Sequence, residues 1–277
     1  SDVNTHAAAG EAVCALLTEA GIPYSGYVFP QEHLEPDEYA VGAAVMHFDT
    51  SCDLILGVGS GVINDIGKIV AHVSGKRYVV VATAPSMDGY ASTGAAMIMG
   101  GMKVTYSVPV PTSILADTAV LKDAPMELIR AGYGDIVGKF SALNDWKLSH
   151  AVKGEYFCQK VYDLMAEALQ KTLALADGLV RRDEEAVGAL MEALVLAGIA
   201  MAFAGTSRPA SGSEHHLSHY FEITGIVRDE PYFPHGIDVA YSTVVTAGLR
   251  QKLATEPWPD TQFCPAREDY EAEVKRI

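Results

Sequence analysis

The sequence predicts an α/β front part followed by an all-helical back part. Two observations carry this. As far as about residue 120, short β-branched runs alternate with helical stretches of ten or more residues, the pattern of βαβ units around a largely parallel sheet. After Lys122 the strand-like runs stop, and apolar positions recur at helical spacing in segments rich in Ala and Leu. At 277 residues and 49% apolar content, the chain can bury a sizeable core without staples.

Taken in order, Thr5–Ala20 has helical periodicity and Tyr24–Phe29 is an aromatic and β-branched run expected to be a strand. Asp37–His47 is expected to be helical. Leu54–Val58 is a short apolar strand that runs into glycines, and Asn64–Ser74 is the helix after it. Tyr78–Ala82, Val104–Val108 and Ser113–Ala116 complete the expected strands, with right-handed connections between parallel neighbours. The back part is expected to hold helices at Phe157–Ala176, Glu184–Ala204, Ser213–Phe221 and Ile237–Leu253. The turn residues Arg208-Pro209-Ala210-Ser211-Gly212 separate two of them. The expected division is 1–122 and 123–277.

The net charge of −15 argues against a protein that reads a nucleic-acid backbone or an anionic membrane surface. It does not forbid a small anionic substrate, because a few donors in a cleft outweigh the global field locally. No uninterrupted apolar run reaches the roughly 20 residues of a membrane span. Ser1–Gly10 is polar and lacks the form of a secretory signal. Cys14, Cys52, Cys158 and Cys264 form no C-x-x-C pair, which fits reduced cysteines in a cytoplasmic protein and excludes a zinc ribbon.

Four segments can carry chemistry. Gly57-Val58-Gly59-Ser60-Gly61-Val62-Ile63-Asn64-Asp65 joins a strand to a helix, where glycines admit a ligand and free N–H groups meet phosphate oxygens. It is neither the G-x-G-x-x-G fingerprint nor a P-loop, so a tight turn is the competing reading. Thr83-Ala84-Pro85-Ser86-Met87-Asp88-Gly89-Tyr90-Ala91-Ser92 follows a strand at the same sheet edge; its hydroxyls and carboxylate suit a nucleotide and a polyol, or equally a capped turn. His215 and His219 stand four apart and share a helix face, the spacing of a metal pair or of a ligand beside a proton-transfer group. His235, in a stiff Phe-Pro-His-Gly turn, can aim at the same point, whereas His216 points elsewhere and reads as structural. Asp135, early in a helix, is the further oxygen ligand such a set needs, against the alternative of a surface Asp135–Lys139 pair.

In this order and spacing, these segments resemble one superfamily, that of the iron-dependent alcohol dehydrogenases, glycerol dehydrogenase and 3-dehydroquinate synthase. Within it they are most similar to the sn-glycerol-1-phosphate dehydrogenases of bacterial type. The phrases Lys103-Val104-Thr105-Tyr106, Ala131-Gly132-Tyr133-Gly134-Asp135-Ile136 and Ala210-Ser211-Gly212-Ser213-Glu214-His215-His216-Leu217-Ser218-His219 extend the likeness over nearly the whole chain. The resemblance implies a Rossmann-like N-terminal domain, an all-α C-terminal domain (the dehydroquinate synthase-like fold) and a site in the cleft between them. It implies an NAD(H) or NADP(H) cofactor held by Gly59, Ser60, Gly61, Val62, Ile63, Asn64 and Asp65, with Thr83, Ser86 and Ser92 as further contacts. Asp135, His215 and His235 match the metal ligands, for zinc or nickel with iron as a further choice. Asp88, Asp135 and His219 match substrate-facing positions, His219 and Asp135 being the catalytic ones.

The implied reaction interconverts dihydroxyacetone phosphate and sn-glycerol 1-phosphate in phospholipid synthesis, by a cytoplasmic homodimer. Arg208, Ser211 and the helix start near Ser213 are candidate donors to the substrate phosphate. Glycerol dehydrogenase or another polyol or alcohol dehydrogenase, a 3-dehydroquinate synthase-like lyase and an inactive nucleotide-binding homologue are the competing readings. Relative to the family, the chain is short at both ends.

Overall fold

A computed structural model describes residues 1–228, 230 and 233–257; Cys264 and the end of the back part lie outside the described residues. The first helix runs through α1 (Val3–Thr5), a π-helical turn at His6–Gly10 and α2 (Glu11–Glu19), with Asp2 and Thr5 closing a capping box at its start. α3 (Glu38–Met46) is capped by Asp37, whose carboxylate accepts from the Ala40 amide. β1 (Leu54–Gly59) turns at Ser60 into α4 (Gly61–Ser74), and β2 (Arg77–Ala82) follows. A 3-10 turn at Asp88–Ala91 leads to β3 (Gly94–Met99), β4 (Met102–Ser107), β5 (Ser113–Leu115) and α5 (Thr118–Leu121). Helices then take over: α6 (Met126–Lys153), α7 (Gln159–Ala174), α8 (Ala176–Arg181), α9 (Glu184–Ala204), α10 (Ser213–Arg228) and α11 (His235–Thr255).

The sheet is smaller than the sequence suggests. β1, β2 and β5 are parallel in the order β1-β2-β5, while β3 and β4 form a separate antiparallel hairpin. Tyr24–Phe29 is not a strand: only Phe29 pairs, through a single parallel bridge to Asp2. A β-propensive run without a ladder partner does not become a strand. The run expected at Val104–Val108 belongs to the hairpin rather than to a βαβ unit. Its turn is Gly100-Gly101, both at positive φ (58° and 77°), the backbone a two-residue hairpin loop requires.

The largest core cluster joins β2 (Tyr78, Val80, Ala82) and the segment after it (Ala84, Tyr90) to Ile129 and Ile136 of α6, Leu169 of α7, and Leu190 and Leu194 of α9. This core crosses residue 122, so front and back are packed as one body there. A second cluster around Trp146 ties α6, α7 and α9, and a third packs α4 on α3. α9 is long and apolar enough to cross a membrane by length and composition, although Glu192 interrupts its apolar run. In the fold 56% of its most apolar window is buried, against α7 and the 3-10 turn among others.

Two glycines set the spacing of the interior. A Cβ on Gly132 of α6 would lie 1.8 Å from the Pro85 carbonyl oxygen, and one on Gly236 of α11 would lie 1.8 Å from that of Ala131. Backbone atoms cannot yield as side chains do, so these approaches demand glycine. Gly132→Ala or Gly236→Ala should therefore cost about 3 kcal/mol or more through forced backbone movement. Gly42→Ala, exposed on α3 with nothing within 4 Å of the new methyl, should instead gain up to about 1 kcal/mol. Chemical unfolding of the three variants checks the contrast.

Candidate active site

The carboxyl ends of β1 and β2 lie side by side, with the Thr83 amide donating to the Gly59 carbonyl at 3.1 Å. Ser60 makes no side-chain cap bond at the start of α4, so the amides of Gly61, Val62 and Ile63 point out of the helix without a capping side chain. This glycine turn and uncapped helix start suit a phosphate group. Asn64 and Lys68, one turn apart on α4, both face the 88–94 segment. The Asn64 side-chain amide donates to Gly89, and the Lys68 ammonium donates to the carbonyls of Gly89, Ser92 and Gly94 at 2.5, 3.1 and 3.0 Å. Burial pulls Lys68 down to about 8 and pushes Asp65 up to about 7.

Several expected cofactor contacts are thus engaged elsewhere. Asn64 tethers the neighbouring loop, and the Ser92 hydroxyl donates within that loop, to Gly89 and Gly94 at 3.1 Å each. Thr83 and Ser86 are buried below the loop surface.

Asp135 stands ten residues into α6, not in its first turn, and is fully buried. One of its oxygens, Oδ2, accepts the Asp88 amide at 2.9 Å, and the other, Oδ1, accepts Lys139 Nζ at 2.6 Å. Lys139, itself fully buried, also donates to Asp88 Oδ2 at 2.6 Å. The expected surface pair is therefore an interior bridge between the 3-10 turn and α6. Burial alone would raise the Asp135 carboxyl, but the Lys139 ammonium, helped by His235 and His215, holds it down at about 2. For Lys139 burial is likewise the largest influence, and the two carboxylates overcome it and raise the ammonium above its usual range.

α10 places His215, His219 and Glu222 on one face at i, i+4 and i+7. His215 Nδ1 meets Glu214 Oε1 at 2.8 Å, and its Nε2 lies 3.7 Å from Asp135 Oδ1. His235, the first residue of α11, meets Glu222 Oε1 through Nδ1 at 2.8 Å, and His219 Nδ1 meets Glu222 Oε2 at 2.9 Å. The three rings cluster, with centroids 5.2 to 6.0 Å apart. Exposed His216 is outside the cluster. Burial lowers His215; it acts in the same sense on His235, where the Glu222 hydrogen bond prevails and raises the imidazole.

One potential ligand atom from each of Asp135, His215 and His235 lies within 4.8 Å of the others. With both Nδ1 atoms on carboxylates, two Nε2 lone pairs remain, together with the second lone pair of an Asp135 oxygen that also accepts Lys139, a donor set that fits a divalent metal with open positions. His219, Glu222 and His235 are equally close, but their short contacts are donor–acceptor pairs between each imidazole and the carboxylate.

The expected phosphate donors have other partners: Arg208 pairs with Glu155 at 2.8 Å, and the Ser213 amide donates to Asp145 at 2.8 Å. A carboxylate already occupies that helix start.

A family model described as iron-containing alcohol dehydrogenase matches residues 1–125. Curated relatives bear the name glycerol-1-phosphate dehydrogenase (NAD(P)+). The relative from Bacillus subtilis (strain 168) is 32% identical over 97% of this chain and 68% of its own length. The chain belongs to the iron-containing alcohol dehydrogenase family. A relative of the same name from Halalkalibacterium halodurans is 36% identical over 92% of this chain and 66% of its own length. The chain thus spans about two thirds of the length of the curated relatives it matches. Among solved structures, glycerol dehydrogenase from Schizosaccharomyces pombe aligns with a TM-score of 0.71 at 19% identity, covering 93% of this chain and 64% of that one. Sulfoacetaldehyde reductase from Bifidobacterium kashiwanohense, in complex with NAD+, aligns at 0.64 with 16% identity over 98% and 71%. These two show that the chain shares their fold.

Glu222, Glu214, Lys139 and Lys68 were not singled out as functional residues from sequence. The i, i+4, i+7 spacing of His215, His219 and Glu222 was the signal for Glu222; nothing local marks the burial of Lys139.

Two outcomes are expected. Lys139→Met, which strands two buried carboxylates, should cost about 3–5 kcal/mol in urea unfolding. Asp135 and Glu222 both lie below their ordinary values in the folded chain, so the unfolded chain binds more protons as the solution is acidified. Their stabilisation is present above about pH 4.5 and is lost as Asp135 approaches its folded value of about 2. Asp65 and Asp238, raised to about 7 and about 6, act oppositely, but below pH 3.8 they are mostly protonated in both states. The urea midpoint should fall steeply from pH 3.8 to 2.

Proposed function

We propose that this chain is a metal-dependent NAD(P)H oxidoreductase that interconverts dihydroxyacetone phosphate and sn-glycerol 1-phosphate by hydride transfer at C2. The observation that carries the reading is the convergence of Asp135, His215 and His235 beside Asp88, in a chain whose curated relatives are named glycerol-1-phosphate dehydrogenase. When bound, a divalent metal supplies Lewis acidity to a substrate oxygen and a nicotinamide cofactor supplies the hydride.

Asp135, His215 and His235 are the residues that hold the metal, zinc or nickel by the chemistry of the donors, with iron also suited. Gly59, Ser60 and the uncapped amides of Gly61 to Ile63 receive the dinucleotide pyrophosphate, at the edge flanked by Thr83 and Ser86. Asp88 accepts a substrate hydroxyl, its carboxylate aimed by Lys139. His219 keeps its Nδ1 on Glu222 and has a partly exposed ring, leaving Nε2 to move a proton to or from the C2 oxygen. The division 1–122 and 123–277 assigns the cofactor to the front part and the metal to the back part. The same reading places the protein in the cytoplasm, as a homodimer in phospholipid synthesis.

The test is NADH oxidation with dihydroxyacetone phosphate, before and after chelation, with zinc or nickel restored. Metal-restored turnover to sn-glycerol 1-phosphate is expected; preference for unphosphorylated dihydroxyacetone would refute the substrate assignment. His215→Ala and His235→Ala should each abolish stoichiometric metal binding, measured by elemental analysis after dialysis. Asp88→Ala should raise KM for the ketone more than KM for the cofactor.

A further inference from the structure

Glu222 is almost fully buried, at 2% exposure, and its two carboxylate oxygens are shared among three partners from three elements. Oε1 faces Nδ1 of His235 on α11, while Oε2 faces Nδ1 of His219 on its own helix and the ammonium of Lys103 on β4. Three nitrogens converge on one carboxylate, and the Lys103 ammonium among them, an obligate donor, is the counter-charge of an ionised carboxylate. An ionised carboxylate only accepts hydrogen bonds, so each imidazole must present Nδ1–H to it. The lone pair of each ring then lies on Nε2, the atom directed away from Glu222.

We infer that Glu222 is a positioning residue that fixes the tautomer of His235 and of His219 together, keeping one Nε2 free as a metal donor and the other free for proton transfer. The inference rests on the metal-site reading above. It makes the shared carboxylate, rather than either imidazole, the group that sets both roles, as carboxylate partners of ligating histidines do generally. Lys103 adds a direction. An amide in place of the carboxylate offers one acceptor and one donor. The Lys103 ammonium at the Oε2 position favours the amide oxygen there, next to His219. The amide nitrogen is left facing His235, which must then turn its Nδ1 lone pair toward it and carry its proton on Nε2. A protonated Nε2 is not a metal donor.

Glu222→Gln is therefore expected to affect the two histidines unequally. Tautomers can be read from histidine ring-nitrogen NMR shifts of metal-free protein, and zinc affinity from competition with a chromophoric chelator. In the wild-type chain both His219 and His235 should be Nδ1–H. In Glu222→Gln, His235 should become Nε2–H while His219 stays Nδ1–H, and zinc affinity should fall about 10–100-fold. Glu222→Asp, which keeps both acceptors, should preserve both tautomers and lose less affinity than Glu222→Gln. An Nε2–H tautomer at either histidine in wild-type protein overturns the inference, and this needs no variant to fold. So does a Glu222→Gln chain with unchanged His235 tautomer and zinc affinity, or a Glu222→Asp chain as impaired as Glu222→Gln, which indicates packing alone. Wild-type protein that binds no zinc refutes the metal-site reading itself, and the tautomer measurement still decides the role of Glu222.

Discussion

A buried ammonium is the constraint on which the rest of the site depends. Lys139 has no exposed surface and donates to Asp88 and Asp135, which come from different parts of the chain. Removing a charge from water costs several kcal/mol even after relaxation, and only well-placed counter-charges offset it. All three groups are therefore stable inside only as an assembled set. The Asp88 amide closes the arrangement by donating to the free oxygen of Asp135. The 3-10 turn cannot leave α6 without exposing an uncompensated charge, so the 88–94 segment and α6 are held in one register.

The imidazoles are held by the same logic in a second layer. Glu214, fully buried, accepts from both His215 and the Gly212 amide, which pins His215 to the start of its own helix. Glu222 ties α10 to α11 through His235 and to the β3–β4 hairpin through Lys103. Each histidine is thus anchored at Nδ1 on a carboxylate. Glu214 and Glu222 hold the three imidazoles of the cluster in place.

Much of this was legible in sequence, for reasons that differ by residue. The strand–glycine–helix pattern at 54–74 is local, and β1, the turn and α4 follow it, with α4 starting three residues earlier than expected. α9 matches its expected bounds because its Ala and Leu content leaves no competing pattern. The spacing of His215, His219 and His235, with Asp135, pointed to one cluster, and these side chains do meet. α6 as a whole was not marked, because Gly132, Gly134 and Gly138 dilute its helical signal; its glycines serve packing against Pro85, Gly236 and Val239 instead. Gly-Gly at 100–101 is a usable hairpin signal, but Gly94–Met99 lacks the alternation that marks a strand. Burial of Lys139 depends on Asp88, 51 positions away along the chain, and no local pattern reports that.

Backbone contact sets the distance between the two walls of the site. Gly132 lets α6 approach the Pro85 carbonyl, three residues before Asp88 and three before Asp135. Gly236, immediately after His235, lets α11 approach Ala131. Asp88, Asp135 and His235 therefore project from points one turn or less from a backbone–backbone contact, where the chain has least freedom to move. The proposed hydride transfer tolerates little positional error. Rigid glycine contacts on packed helices, rather than adaptable side chains, provide that precision here.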